Sequence, residues 1–173
     1  LSEGDATAAA TRLAASTPPK GLEPFHAWYL GEAQAWSRDA DGAIKTLTKA
    51  RKAAPKWLAP RIDRRLAELS LDVGQAARAR ALLDADPEVT RLPELLYTRA
   101  LAREALKLTA LAKADWKALA IRFPTHPHGV AAQQKLEAAN AWNLTFDEQI
   151  TRAEYLLGGG DARGCLAALE GLK

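Results

Sequence analysis

The sequence predicts an all-α fold, an α-solenoid of antiparallel helix pairs with about ten helices, and three observations carry that prediction. Of 173 residues, 38 are Ala and 26 are Leu, the two best apolar helix formers, against four Ile and three Val, and no sheet can be built from that supply. All nine prolines (Pro18, Pro19, Pro24, Pro55, Pro60, Pro87, Pro93, Pro124, Pro127) fall at the ends of apolar-periodic segments or in their first turn, where a missing N–H costs least. Small residues also recur in phase with these breaks. Gly31, Ala67, Ala100 and Ala153 are each followed twelve residues later by Ala43, Ala79, Ala112 and Cys165, and four after that by Leu47, Leu83, Trp116 and Leu169. The break lies inside the twelve, so each small pair marks where two paired helices touch and each large residue fills beside them.

Taken in order, the first helix is expected over 5–16 and ends before Pro18 and Pro19. The second, 22–37, begins around Pro24 and keeps Gly31 in its interior, at a cost of ~1 kcal/mol relative to Ala. That cost predicts a neighbour too close to admit a methyl group. The cluster Asp39-Ala40-Asp41-Gly42 separates it from 41–53, and the next two helices, 58–72 and 75–84, are divided by Val73-Gly74-Gln75. Helices at 93–106, 109–122 and 127–139 follow, with Pro93 and Pro127 in first turns and Pro124 as a stop. The ninth, 146–158, opens with Thr145 and Glu148 at capping-box spacing; Gly158 to Gly160 stop it, and Asp161 caps the last, 161–171.

Gly31 and Ala67 lie 36 residues apart, and Ala67 and Ala100 lie 33 apart, which brackets the 34-residue period of the tetratricopeptide repeat. Leu30-Gly31 resembles that family's Leu-Gly pair, Ala43 with Leu47 its Ala-x3-Phe pair, and Pro55 and Pro124 its closing proline. Leu66-Ala67 is a softened copy. Ala27 and Gln34 stand where the family prefers large aromatics, and Arg99 and Arg152 replace the Leu before the small residue. The chain is thus expected to be one repeat domain over 1–173, with repeats at 24–57, 58–92 and 93–126, an extra helix at 127–139 and a last pair at 146–172. With no Met and an opening at Leu1, it is expected to be a piece of a longer product.

The resemblance implies a right-handed superhelix whose concave wall comes from the first helix of each pair. Counted from the small residues, that wall would carry Phe25, Trp28, Glu32 and Trp36, then Arg61, Arg64 and Glu68, then Tyr97, Leu101 and Glu104, and lastly Ile150 and Glu154. Trp28, Glu32 and Trp36 share one helix face, suited either to core packing or to a platform for an apolar side chain, a peptide or a sugar ring. Between Lys45 and Arg65 eight basic residues face one acid, Asp63. A solvated face is the plain reading of such a run; within it Arg61 and Arg64, one turn apart, are placed to grip a carboxylate or phosphate.

Other chemistry is sparse. A net charge of +3 does not call for nucleic acid, no run of 18 apolar residues would span a bilayer, and the single Cys165 excludes a cysteine-rich zinc module and an internal disulfide. His126 and His128 flank Pro127 without a third metal ligand nearby, and Gly158 to Gly160 lack the Lys of a phosphate-cradling loop. No cofactor, metal or catalytic group is expected.

A narrower resemblance rests on Ile121-Arg122-Phe123-Pro124-Thr125-His126-Pro127 and on Ile150-Thr151-Arg152-Ala153-Glu154-Tyr155-Leu156-Leu157. Both look like the helical superdomain that precedes the catalytic domain of bacterial soluble lytic murein transglycosylases. In that family the catalytic carboxylate is a Glu followed by Ser, and this chain has no Glu-Ser dipeptide. The expectation is a non-catalytic scaffold binding a protein or peptide partner in its groove, in a bacterial cell envelope. The alternative is an accessory domain of such a transglycosylase, with peptidoglycan as partner. Those resemblances favour a periplasmic or outer-membrane-associated setting; the residues alone leave the cytoplasm open.

Overall fold

The structure, a computed structural model, describes residues 2–170. Among the described residues there are ten helices and no strand: α1 (Glu3–Ala15), α2 (Glu23–Trp36), α3 (Ala40–Ala53), α4 (Ala59–Asp72), α5 (Ala76–Asp84), α6 (Pro93–Ala105), α7 (Thr109–Arg122), α8 (Pro127–Ala138), α9 (Phe146–Gly158) and α10 (Ala162–Glu170). Each expected helix is present, and within the described residues no boundary differs by more than two residues. The largest difference is at α1, which begins two residues early because Ser2 caps it, accepting from the Asp5 N–H while the Asp5 carboxylate accepts from the Ser2 N–H. Residue 171, the expected end of the last helix, lies outside the described residues. No helix is long and apolar enough to cross a membrane among the described residues.

The chain divides into two compact units, Leu1–Asp86 and Pro87–Lys173. In the first, α1 packs on α2, α2 on α3, α3 on α4 and α4 on α5, so successive helices are spatial neighbours. Ile44, Leu47, Leu58, Ile62, Leu66 and Leu69 form its core. Gly31 answers to its sequence reading: a Cβ there would come within 2.6 Å of Leu47 Cγ and Cδ2, and Leu47 is wholly buried. In the second unit α6 packs on α7, α8 and α9 both pack on α7, and α10 packs on α9. Its core is Leu96, Ala100, Ala112, Trp116, Leu119, Ala132 and Leu136, with a smaller cluster at Ala153, Leu156 and Cys165. Gly129 admits α8 to this core, because a Cβ there would overlap the Phe123 carbonyl oxygen. All eight small residues of the expected helix pairs are buried.

Helix ends divide into two kinds. α3, α5 and α7 stop two or three residues before Pro55, Pro87 and Pro124. α2, α4, α6, α8 and α9 are instead followed, two residues past the last helical one, by a residue with positive φ (Arg38, Gly74, Lys107, Asn140, Gly160). The next N–H then reaches back to a carbonyl five residues earlier: Asp39 to Gln34, Gln75 to Ser70, Leu108 to Arg103, Ala141 to Leu136 and Asp161 to Leu156, at 2.7–2.9 Å. This closure satisfies carbonyls that a helix end leaves open, and it costs a non-glycine residue ~1 kcal/mol of backbone strain. Positions 38, 74, 107 and 140 are 36, 33 and 33 residues apart. The helix expected as an addition, 127–139, therefore closes in the manner and at the spacing of the first helices of pairs.

The two arginines that break the repeat pattern have partners. Arg99 binds Asp115 through two hydrogen bonds (2.7 and 3.1 Å), and Arg103 adds a third at 2.8 Å, with Asp115 almost wholly buried between α6 and α7. Arg152 joins three helices: from α9 it donates to the Ala120 carbonyl on α7 and to Gln133 Oε1 on α8 (2.6 Å). Burial holds the Arg152 pKa below its ordinary value, against the pull of Glu137 and Asp161.

Candidate functional site

In the first unit, α2 and α4 present side chains to one another across a shared face. The Arg61 guanidinium lies 5.9 Å from the centre of the Trp28 ring, and one turn further along Arg65 Nε donates to Glu32 at 2.9 Å. Arg65 also donates to Glu68 at 2.8 Å, so Glu32, Arg65 and Glu68 form a closed ion set. Burial works against the Arg65 charge, but Glu68 and Glu32 outweigh it and hold its pKa above the ordinary value. Trp28 is half-buried and packs on the core, as does Phe25, whose ring meets Trp57 at 5.4 Å. Trp36 and Trp57 are 59% and 58% exposed. The structure thus brings Phe25, Trp28, Glu32, Arg61 and Glu68 to one region and leaves Trp36 standing out in solvent.

Arg64 has a different partner from the one its spacing suggests. It donates to the buried Asp86 at 2.6 and 3.3 Å, tying α4 to the end of the first unit. Arg65, one position on, occupies the shared face instead. The basic run is correspondingly less positive in space than along the chain: Arg51 is paired with Asp63, Arg64 with Asp86, and Arg65 with two glutamates. Lys45, Lys49, Lys52, Lys56 and Arg61 are exposed. Among the described residues Arg61 lies beside an aromatic ring and has no carboxylate within ion-pair distance.

In the second unit, Tyr97, Leu101 and Glu104 lie along α6, and α8 lies over Tyr97 and Glu104. The His128 ring stacks on Tyr97 at 4.1 Å, and Lys135 Nζ pairs with Glu104 Oε2 at 2.9 Å while standing 5.0 Å from the Trp116 ring centre. Leu101 is half-buried against the core. Trp28 and Tyr97 sit at the same position, three residues before the small residue of their pairs. Each is covered by a side chain from another helix, Arg61 of α4 and His128 of α8. Of the last pair, Ile150 is half-buried and Glu154 exposed.

His126 caps α8, its Nδ1 accepting from the His128 N–H at 3.2 Å, and its Nε2 lies 3.4 Å from Glu94. The two imidazoles are thereby committed to a helix cap and a ring stack. Residues not singled out from the sequence are Trp57, Arg65 and Asp115. A tryptophan between Pro55 and Pro60 was a signal available for the first; the other two needed partners twelve or more residues away.

No protein-family model, no curated protein and no solved structure matches this chain.

Proposed function

We propose that the chain is a non-catalytic, tetratricopeptide-like interaction module that binds a peptide segment on the α2 and α4 face of its first unit. The observation that carries this reading is the open cation on an aromatic floor. Arg61 stands over Trp28 without a carboxylate partner among the described residues; Phe25, whose ring meets Trp57, packs on the same core as Trp28, and Arg65, one turn along from Arg61, belongs to the closed set of Glu32, Arg65 and Glu68. An acidic group would pair with Arg61, and an apolar side chain would lie against Trp57 and Phe25, the combination that gives peptide sites most of their affinity. The repeat architecture is supported by neighbour-on-neighbour packing within the first unit and by the common helix closure at positions 38, 74, 107 and 140.

Panning a displayed peptide library against the purified protein tests this reading. Peptides joining an acidic residue to an apolar one are expected to be enriched, and enrichment is expected to be lost with Arg61→Glu and with Trp57→Ala. Enrichment that survives both substitutions removes the site; no enrichment at all removes the function.

A second reading, an accessory helical domain of a periplasmic lytic transglycosylase in contact with peptidoglycan, is favoured by one contact. Arg152, inside the 150–157 stretch, donates to the Ala120 carbonyl beside the 121–127 stretch, so the two segments that carry the resemblance are joined. Co-sedimentation with purified peptidoglycan sacculi supports this reading if the protein pellets with them and counts against it if the protein stays in solution.

A further inference from the structure

The second unit contains a cavity of about 530 Å³ bounded by the linker between α8 and α9, by α9 and by α10. Its apolar wall meets solvent: Trp142, Leu144 and Ala168 are half-buried and Ala167 is exposed. Two half-buried groups of opposite charge line the same space, Arg152 and Asp161. Arg152 donates to neutral acceptors, the Ala120 carbonyl and Gln133 Oε1 (2.6 Å), and lies 5.4 Å from the centre of the Trp142 ring. Gln133 is held in turn by Glu137 at 2.7 Å, so the guanidinium is fixed in place. Asp161 accepts from the Gly164 N–H at 2.8 Å through one carboxylate oxygen, and its other oxygen has no hydrogen bond among the described residues. Neither group has an opposite charge within ion-pair distance among the described residues. For Arg152, burial disfavours the charged form more than Glu137 and Asp161 favour it, the condition of a cation whose lost hydration no ion pair replaces.

We infer that this cavity binds a free apolar amino acid, with its carboxylate on the Arg152 guanidinium, its ammonium on the Asp161 carboxylate and its side chain along Trp142, Leu144 and Ala167. The size falls within the ~300–1,000 Å³ of small-molecule sites. A ligand of one charge would satisfy either Arg152 or Asp161 and leave the other uncompensated; a zwitterion satisfies both. The planar guanidinium suits a carboxylate, and its fixed position means that little ordering accompanies binding. The solvent-accessible apolar wall requires that the ligand carry more than its two charges. This site lies in the second unit and the peptide face proposed above lies in the first, so neither stands or falls with the other.

The test is calorimetric titration of leucine and of phenylalanine into the intact protein. Saturable one-to-one binding is expected for at least one of them, unchanged by Arg61→Glu in the first unit. Because Arg152 joins three helices, its contact is tested on the ligand rather than by substitution. The decarboxylated amine (isopentylamine or phenethylamine) and the deaminated acid (4-methylpentanoate or 3-phenylpropanoate) are each expected to bind about tenfold more weakly than the parent amino acid. Asp161→Asn, which retains a helix-capping side chain, is expected to weaken the amino acid about tenfold and leave the deaminated acid unchanged. Ala167→Trp, at an exposed position in the cavity wall, is expected to abolish binding while circular dichroism reports unchanged helix content. An amine that binds as tightly as its amino acid overturns the contact at Arg152. A deaminated acid that binds as tightly, or that is weakened equally by Asp161→Asn, overturns the contact at Asp161. Glycine binding as tightly as leucine or phenylalanine overturns the apolar wall, and absence of saturable binding, or binding indifferent to Ala167→Trp, overturns the inference as a whole.

Discussion

Gly31 and Leu47 meet so closely across α2 and α3 that the glycine hydrogen stands where no methyl group would fit. Gly31→Ala is expected to destabilise the protein by about 1 kcal/mol: overlap with a buried leucine costs ~1–3 kcal/mol, and helix propensity returns about 1. Leu47→Ala alone is expected to cost ~2–5 kcal/mol, and the double variant less than the two added together, since the new methyl enters the space vacated. Urea unfolding of the four proteins measures this coupling; strict additivity would refute the contact.

Asp115 compensates two guanidinium groups whose side chains are only 11% and 12% exposed. Asp115→Ala is therefore expected to cost ~3–5 kcal/mol, far above an ordinary surface pair. Replacing Arg99, Arg103 and Asp115 together with Leu is expected to leave stability near the wild type, because the desolvation cost disappears with the charges. Thermal unfolding distinguishes the two variants.

Acid should weaken the second unit through His128. Burial first, and the neighbouring His126 second, hold its imidazole below the ordinary histidine value, against the pull of Glu94. Protonation then favours the unfolded chain, so the contribution is complete above pH ~6.5 and is lost as pH falls through the lower folded value. His128→Phe keeps a ring against Tyr97 and removes the titration. Denaturation midpoints between pH about 7 and about 5 should fall more steeply for the wild type than for this variant.

Thr145 and Glu148 close the start of α9 reciprocally, with hydrogen bonds of 3.3 and 2.8 Å. Burial raises the Glu148 pKa, but Lys117 and Thr145 outweigh it and hold the carboxyl below its ordinary value. Thr145→Ala should cost about 1 kcal/mol and speed amide exchange in the first turn of α9. Unchanged exchange there would show that Lys117 alone holds the helix start.

The helices were legible because their ends are local. Proline, glycine turns, Asp39, Thr145 and Asp161 act within four residues of themselves, and the small residues of paired helices announce their contacts by spacing alone. The site was legible only in part, because charge partners are chosen in space. Arg64 and Arg65 are neighbours in a uniform basic run, yet one reaches back 33 residues to Glu32 and the other forward 22 to Asp86. Trp28 and Tyr97 sit at the same helical position, three residues before Gly31 and Ala100, as their spacing implies. That spacing carried no sign that α8 would lie over Tyr97, since that follows from how closely Gly129 lets α8 approach the turn at Phe123.

Cys165, the one thiol in 173 residues, is buried at the small-residue position between α9 and α10. At 9% exposure the thiol is largely shielded, and a thiol reagent added to the native protein reaches it freely when that hairpin parts. The labelling rate, set against that of the unfolded chain, therefore reads the opening free energy of the last helix pair with no engineered reporter. If the pair opens at less cost than the whole molecule, labelling will outrun global unfolding, and the difference between the two rates will measure how independently this end of the protein breathes.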